Sequence, residues 1–244
     1  MSEYFKNIDP SYDNTLDDIA GLTWWPWVGR SYRKTDTKTF VLGESHYSSS
    51  PDPDAVAKIG NKKAFTREIH QTHAMGLANG KKTRYVRNIE RALFQTKRPS
   101  VESVNAFWSS VIYHNLVLTP MPTKKHRPAY DHYFDGWEVF IKLAELLKPA
   151  QCIVYGLERL KLTSLKEVCI SHGNSPLFER LPNRVGRSCP RRVTLSLNYG
   201  TLKMLFIRHP SQYFSWQTWG EILEKEIHLP AVAESQLGQT TNTR

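Results

Sequence analysis

At 244 residues the chain can bury one sizeable core, and a single α/β domain over residues 1–230, with a flexible tail over 231–244, is the simplest organisation. The formal net charge of +10 at pH 7 points to a polyanionic partner, DNA before others, because clustered Lys and Arg neutralise phosphates and steer their approach. The three cysteines hold no C-x-x-C pair and are too few for an ordinary iron–sulfur cluster, so no metal or cofactor is expected and a reducing cytoplasm suits them. No apolar run approaches the roughly 20 residues that span a bilayer, and Met1–Pro10 is polar and charged, unlike a secretory signal. A monomer with no membrane attachment is expected.

Residues 1–30 carry few regular signals apart from Trp24-Trp25-Pro26-Trp27. That run reads either as an aromatic plug or as the wall of a base-binding pocket, since indole faces stack on bases. A first strand is expected near 38–43, with Phe40, Val41 and Leu42 buried, and a turn-rich loop over Ser48–Pro53. Helical spacing appears over Ala64–His73 and Tyr85–Phe94. The basic residues Lys81, Lys82, Arg84 and Arg87 lie between them, either as a solvated face or as phosphate contacts. Ser100 is the expected N-cap of a helix that buries Val101, Val104 and Trp108.

A second strand is expected near 110–115, followed by a loop rich in proline and base that includes Lys124, Lys125, Arg127 and Pro128. Phe134, Trp137, Phe140, Ile141, Ala144 and Leu147 repeat at helical spacing until Pro149. A third strand is expected near 151–155, then a helix over Glu158–Ile170 and an arginine-rich loop over 173–192 that contains Arg187. Val193–Leu197 is a candidate extra strand, a fourth core strand lies near 203–208, and a last helix begins near Ser215. Strands alternating with helices predict a three-layer α/β/α sandwich around a central, mainly parallel, four-stranded sheet. There is no phosphate-loop or dinucleotide-binding glycine pattern.

Chemistry-bearing residues concentrate where three of these strands end. The first delivers Gly43-Glu44-Ser45-His46-Tyr47, the second His114-Asn115, and the fourth Arg208-His209-Pro210-Ser211. Proline at 210 stops the last strand, having no N–H for the ladder. Ligands of open α/β sheets bind outside the carboxyl ends of the strands. The three ends are therefore expected to form one site.

In their order and setting these segments resemble the uracil-DNA glycosylase superfamily, over roughly 40–225. Gly43-Glu44-Ser45-His46-Tyr47 is similar to that superfamily's first motif, Asn115-Leu116-Val117-Leu118-Thr119 to the strand that offers an asparagine to the flipped base, and His209-Pro210-Ser211 to its closing motif. The sequence departs from the standard members, which carry Gln-Asp-Pro-Tyr after the glycine: Ser45 stands where they have the water-positioning aspartate, and His46 where they have proline. The resemblance implies a monofunctional DNA glycosylase that leaves an abasic site. Uracil is the default base, and certain prokaryotic antiviral members excise hypermodified phage bases, so repair and defence both remain open.

It also implies roles. Glycosidic cleavage develops positive charge on the sugar and negative charge on the departing base, and both need stabilising. His209 would donate to the leaving base's carbonyl, Glu44 would oppose the sugar cation or orient water, and Asn115 would read the base edge. Gly43, Ser45, His46, Tyr47, His114 and Ser211 would complete the base pocket. Lys124, Lys125, Arg127, Arg187 and Arg208 would contact DNA, and Tyr213 or Phe214 would fill the gap left by a flipped base. Each residue also has a plainer reading: Glu44 in an ion pair with an arginine, Asn115 and His209 satisfying polar groups, His114 structural, Tyr213 and Phe214 in the core. A DNA-binding module with decayed catalysis and a metal-dependent nuclease using His46, His70 and His73 are the competing readings.

Overall fold

The computed structural model describes residues 3–48, 50–75, 82–123 and 125–231, so Lys81, Lys124 and the expected tail beyond Ala231 lie outside the described residues. Seven strands alternate with eight α-helices among them. In chain order they are α1 (Asp13–Asp17), β1 (Trp27–Val28), β2 (Thr39–Gly43), α2 (Pro53–Gly60), α3 (Phe65–Ala74), α4 (Arg84–Phe94), α5 (Val101–Trp108), β3 (Val111–Asn115), α6 (Tyr130–Leu147), β4 (Gln151–Tyr155), α7 (Arg159–Ser171), β5 (Leu177–Arg180), β6 (Arg191–Leu197), β7 (Gly200–Ile207) and α8 (Trp216–Glu226). None of the described helices is long and apolar enough to cross a membrane.

The strands form one mixed sheet in the order β1-β3-β2-β4-β7-β6-β5. Neighbours β3, β2, β4 and β7 run parallel, whereas β1 joins β3 antiparallel at one edge and the β5–β6 pair adds antiparallel to β7 at the other. The α/β class holds, but the expected four-stranded sheet is corrected to a seven-stranded mixed one. β5 falls within a stretch expected to be a loop, and its exposed Leu177 and Arg180 lack the apolar alternation that marks a strand. α2 begins at the end of a stretch expected to be loop, with Asp52 capping the N–H of Asp54.

Alternation along the strands divides the core between two faces. Phe40, Leu42, Ile112, Val154 and Phe206 pack with α6 and α7 on one side, whereas Val41, Tyr113, Ile153, Tyr155 and Ile207 pack with α4, α5 and α8 on the other. β2, β3 and β4 are buried at every position, which explains their unbroken apolar runs. Ser100 caps α5 through the N–H of Ser103 as expected, but Val101 is 69% exposed rather than buried, because the buried stripe runs through Val104, Phe107 and Trp108. Trp24 and Trp27 are fully buried and hydrogen-bond to Ile59 O and Trp108 O, so the tryptophan run is a plug and not a pocket wall.

The chain leaves β2 towards helices on one face, and leaves β4 towards α7 on the other. Because β2 and β4 are neighbours, their outgoing loops diverge and open a crevice at the carboxyl ends of the parallel strands.

Candidate functional site

A cavity of about 960 Å³ occupies that crevice. Gly43, Glu44, Ser45, His46 and Tyr47 after β2, Asn115 at the end of β3, and Arg208, His209, Ser211 and Tyr213 after β7 all line it. Phe65, Ile69 and His73 of α3, Tyr85 of α4, Tyr113 of β3 and Tyr155 of β4 supply an aromatic wall. The three expected strand ends therefore do meet, on one concave surface.

Backbone bonds fix the first loop. Leu116 N donates to Gly43 O (3.1 Å), Val117 N to Glu44 O (2.9 Å) and Met121 N to His46 O (2.8 Å), which stitches residues 43–46 to 116–121. Glycine at 43 has a steric cause: a Cβ there would overlap Asn115 Oδ1 and crowd the Tyr113 hydroxyl. Gly156, at φ +100°, likewise leaves space, since a Cβ would overlap the Glu158 carboxylate and the Lys161 ammonium.

Glu44 is 4% exposed and held on both oxygens. Its Oε1 accepts from Lys161 Nζ (3.0 Å) and Tyr133 Oη (3.1 Å), and its Oε2 from Arg127 Nη2 (3.1 Å). Lys161, with no exposure, also donates to Tyr155 O (2.6 Å) and Glu158 Oε2 (3.0 Å). Burial acts to raise the Glu44 carboxyl, but the Lys161 charge and hydrogen bond, followed by Arg127, outweigh it and hold the group below its ordinary value. Two carboxylates thus face two cations, the pairing that the plainer reading of Glu44 anticipated in part. Arg127, expected on DNA, spends its guanidinium on Glu44 and, at 3.7 Å, on Glu158.

His209 is held in one tautomer. The Ser211 backbone N–H donates to its Nδ1 (3.2 Å), and Ser211 Oγ lies 2.9 Å from the same atom. A backbone N–H can only donate, so Nδ1 is the bare nitrogen and Nε2 carries the hydrogen. Burial pulls the ring down to about 4, a charge on it being favoured by Glu44 and opposed by Lys161. It is a neutral donor at pH 7. Tyr155 meets the imidazole edge-on at 5.8 Å, and Asn88 Nδ2 anchors the loop through Pro210 O (2.7 Å).

The remaining expected residues divide. Asn115 Oδ1 accepts from Tyr113 Oη (3.1 Å). Ser45 Oγ is buried with no hydrogen-bond partner among the described residues. His46 packs edge-on to Trp24 and Phe65, and burial lowers it to about 3. His114 does not line the cavity: on β3 it alternates with Tyr113 and Asn115 and is buried on the sheet's other side, where burial lowers it to about 3. Phe214 stacks on Trp219 at 5.7 Å and belongs to the core, whereas Tyr213 is 86% exposed at the cavity rim with φ +49°, its ring under the Arg208 guanidinium. Arg208 also donates to Ser188 Oγ and Gln212 O. Lys125 and Arg187 are exposed, and neither lines the cavity. In the basic cluster before α4, Lys82 binds Glu90 at 2.7 Å.

Lys161, Tyr133, Glu158, Tyr85 and Tyr113 are site residues that sequence reasoning missed. Lys161 had a signal: it stands four residues before Leu165 and seven before Val168, a charge on the buried stripe of α7. Tyr133 similarly precedes Trp137 by four on α6. No protein-family model matches the chain, and no curated protein matches it.

Proposed function

We propose that this chain is a monofunctional DNA glycosylase that takes a flipped-out non-standard base, uracil or a modified pyrimidine, and hydrolyses its N-glycosidic bond. The observation that carries the reading is the His209 tautomer. With Nδ1 committed to the Ser211 N–H, a neutral Nε2–H donor lines a cavity shared with the Asn115 amide and the ionised Glu44.

As the bond between sugar carbon and base nitrogen breaks, its electron pair leaves with the base. His209 Nε2–H meets the carbonyl oxygen on which that charge collects. Water adds its oxygen to the sugar carbon, one of its protons passes to solvent, and the departing base anion is protonated from solvent. Glu44 Oε1 is saturated by two donors, whereas Oε2 has one and keeps a lone pair to orient that water. The cavity lies within the 300–1,000 Å³ or so typical of small-ligand sites, and its tyrosines offer faces to a planar ring. Exposed Arg187, Lys125 and Tyr213 lie where phosphate and base-step contacts are wanted.

The test is single-turnover formation of alkali-labile sites on DNA carrying uracil, hypoxanthine or phage-type modified bases. Wild type is expected to excise at least one of them. His209→Ala should slow that excision by about 10²–10³, the usual consequence of losing one preorganised donor, with DNA affinity nearly kept. Excision by folded His209→Ala at the wild-type rate refutes the mechanism, and a wild type that binds DNA but cleaves nothing leaves the chain a binding module.

A further inference from the structure

We infer that Tyr113 is a specificity-determining positioning residue, which fixes the Asn115 amide so that it meets the base only as a hydrogen-bond donor. The inference deepens the glycosylase reading and rests on it for the identity of the ligand as a nucleobase.

Asn115 is 3% exposed, so its amide has little freedom to exchange partners with water. The Tyr113 hydroxyl donates to Oδ1 at 3.1 Å. The same oxygen lies against the bare Cα of Gly43, where a side chain would overlap it. Oδ1 is thus turned away from a ligand by a bond on one side and by packing on the other, which leaves the Nδ2 hydrogens for the cavity.

Tyr113 is itself held. It sits under the His70 ring, stacked at 4.2 Å, and its hydroxyl is hydrogen-bonded to that of Tyr85. Tyr85 in turn meets His73 Nδ1 at 3.1 Å. Each phenol has one hydrogen, so when Tyr113 gives its own to Asn115 it must accept from Tyr85, and Tyr85 must accept from His73. The direction of this four-member chain and the face shown by Asn115 are therefore one choice.

His209 Nε2–H is also a donor, so the two groups together present hydrogens and no acceptor. The base they select offers lone pairs to both: two carbonyl oxygens, as in uracil, or a carbonyl and an adjacent bare ring nitrogen, as in cytosine. A ring that points an N–H or amino group at Asn115 meets donor against donor and is rejected.

Full-length wild type and Tyr113→Phe are compared on matched oligonucleotides bearing one uracil or one cytosine at the same position, and by titration with free uracil and free cytosine read on the Asn115 side-chain amide resonance. Wild type should favour one base over the other by roughly 10–100-fold, the discrimination ordinarily carried by a well-placed hydrogen-bonding contact to a base. Tyr113→Phe removes the hydroxyl and keeps the ring, so the amide is free to turn and the ratio should collapse to within about threefold, with a smaller narrowing in Tyr85→Phe. A merely structural role would lower both rates together and leave the ratio intact. Retention of the wild-type ratio by Tyr113→Phe overturns the inference, as does a wild type that binds both free bases equally or neither. Selective binding of a free base without cleavage of any oligonucleotide removes the glycosylase reading and leaves the inference standing.

Discussion

Replacing Lys161 by methionine keeps most of the side-chain volume and removes one charge from the floor of the site. The native Nζ is fully buried and donates to Glu44 Oε1, Glu158 Oε2 and Tyr155 O at 3.0, 3.0 and 2.6 Å. Breaking a buried pair from one side costs about 3–5 kcal/mol, because the surviving charge is left without compensation. Arg127 still reaches Glu44 Oε2, but its side chain is 59% exposed and its field is screened by water, so the lower end, about 3 kcal/mol at pH 7, is expected. The pH dependence has a definite sign. In the wild type Glu44 titrates below its unfolded value, so its contribution is present above that value and is lost as pH falls through the folded one. In Lys161→Met the opposing burial effect dominates, the folded carboxyl titrates above its unfolded value, and that protein loses stability as pH rises. The difference between the two therefore grows from pH 5 to pH 7. Urea midpoints of wild type, Lys161→Met, Glu44→Gln and the double variant at both pH values measure it, the buried histidines cancelling because all four proteins share them. The double variant should be more stable than the sum of the singles. A Lys161→Met cost below about 1 kcal/mol at pH 7, or an equal cost in the Glu44→Gln background, refutes the assignment of a charge-compensating role.

Acid should destabilise the protein early: His46 and His114 are held neutral by burial to about 3, so the unfolded chain takes up their protons from about pH 6.5 downward, at about 1.4 kcal/mol per pH unit for each. Urea midpoints at pH 6.5 and 5.5 should fall accordingly, and unchanged midpoints would show that these rings are not neutral in the folded state. DNA affinity should weaken steeply with salt, and Arg187→Ala should flatten the slope by about one while Arg127→Ala, already committed to Glu44 and Glu158, should not. Affinity that stays level from low to moderate salt would argue against a surface that tracks phosphates.

The sequence by itself determined the four parallel strands, because each is buried on both faces and must be an unbroken apolar run of about strand length. It also determined that Gly43–Tyr47, Asn115 and His209–Ser211 follow those runs, since glycine and proline end a strand through their own backbone chemistry. Period-two alternation already separates His114 from Asn115, and the expectation that both face the base had set that alternation aside. The tertiary structure alone decided the antiparallel edges, since β1 is two residues long and β5 carries no alternation to read. It alone decided the state of Glu44, whose partners Arg127, Tyr133 and Lys161 lie 83, 89 and 117 residues away. It alone turned the Asn115 amide, through a phenol two residues back whose own orientation is set by Tyr85 and His73 from other helices. Strand pattern and turn chemistry are local properties of the chain, whereas the charge state of a carboxylate and the facing of an amide depend on which distant groups the fold packs against them.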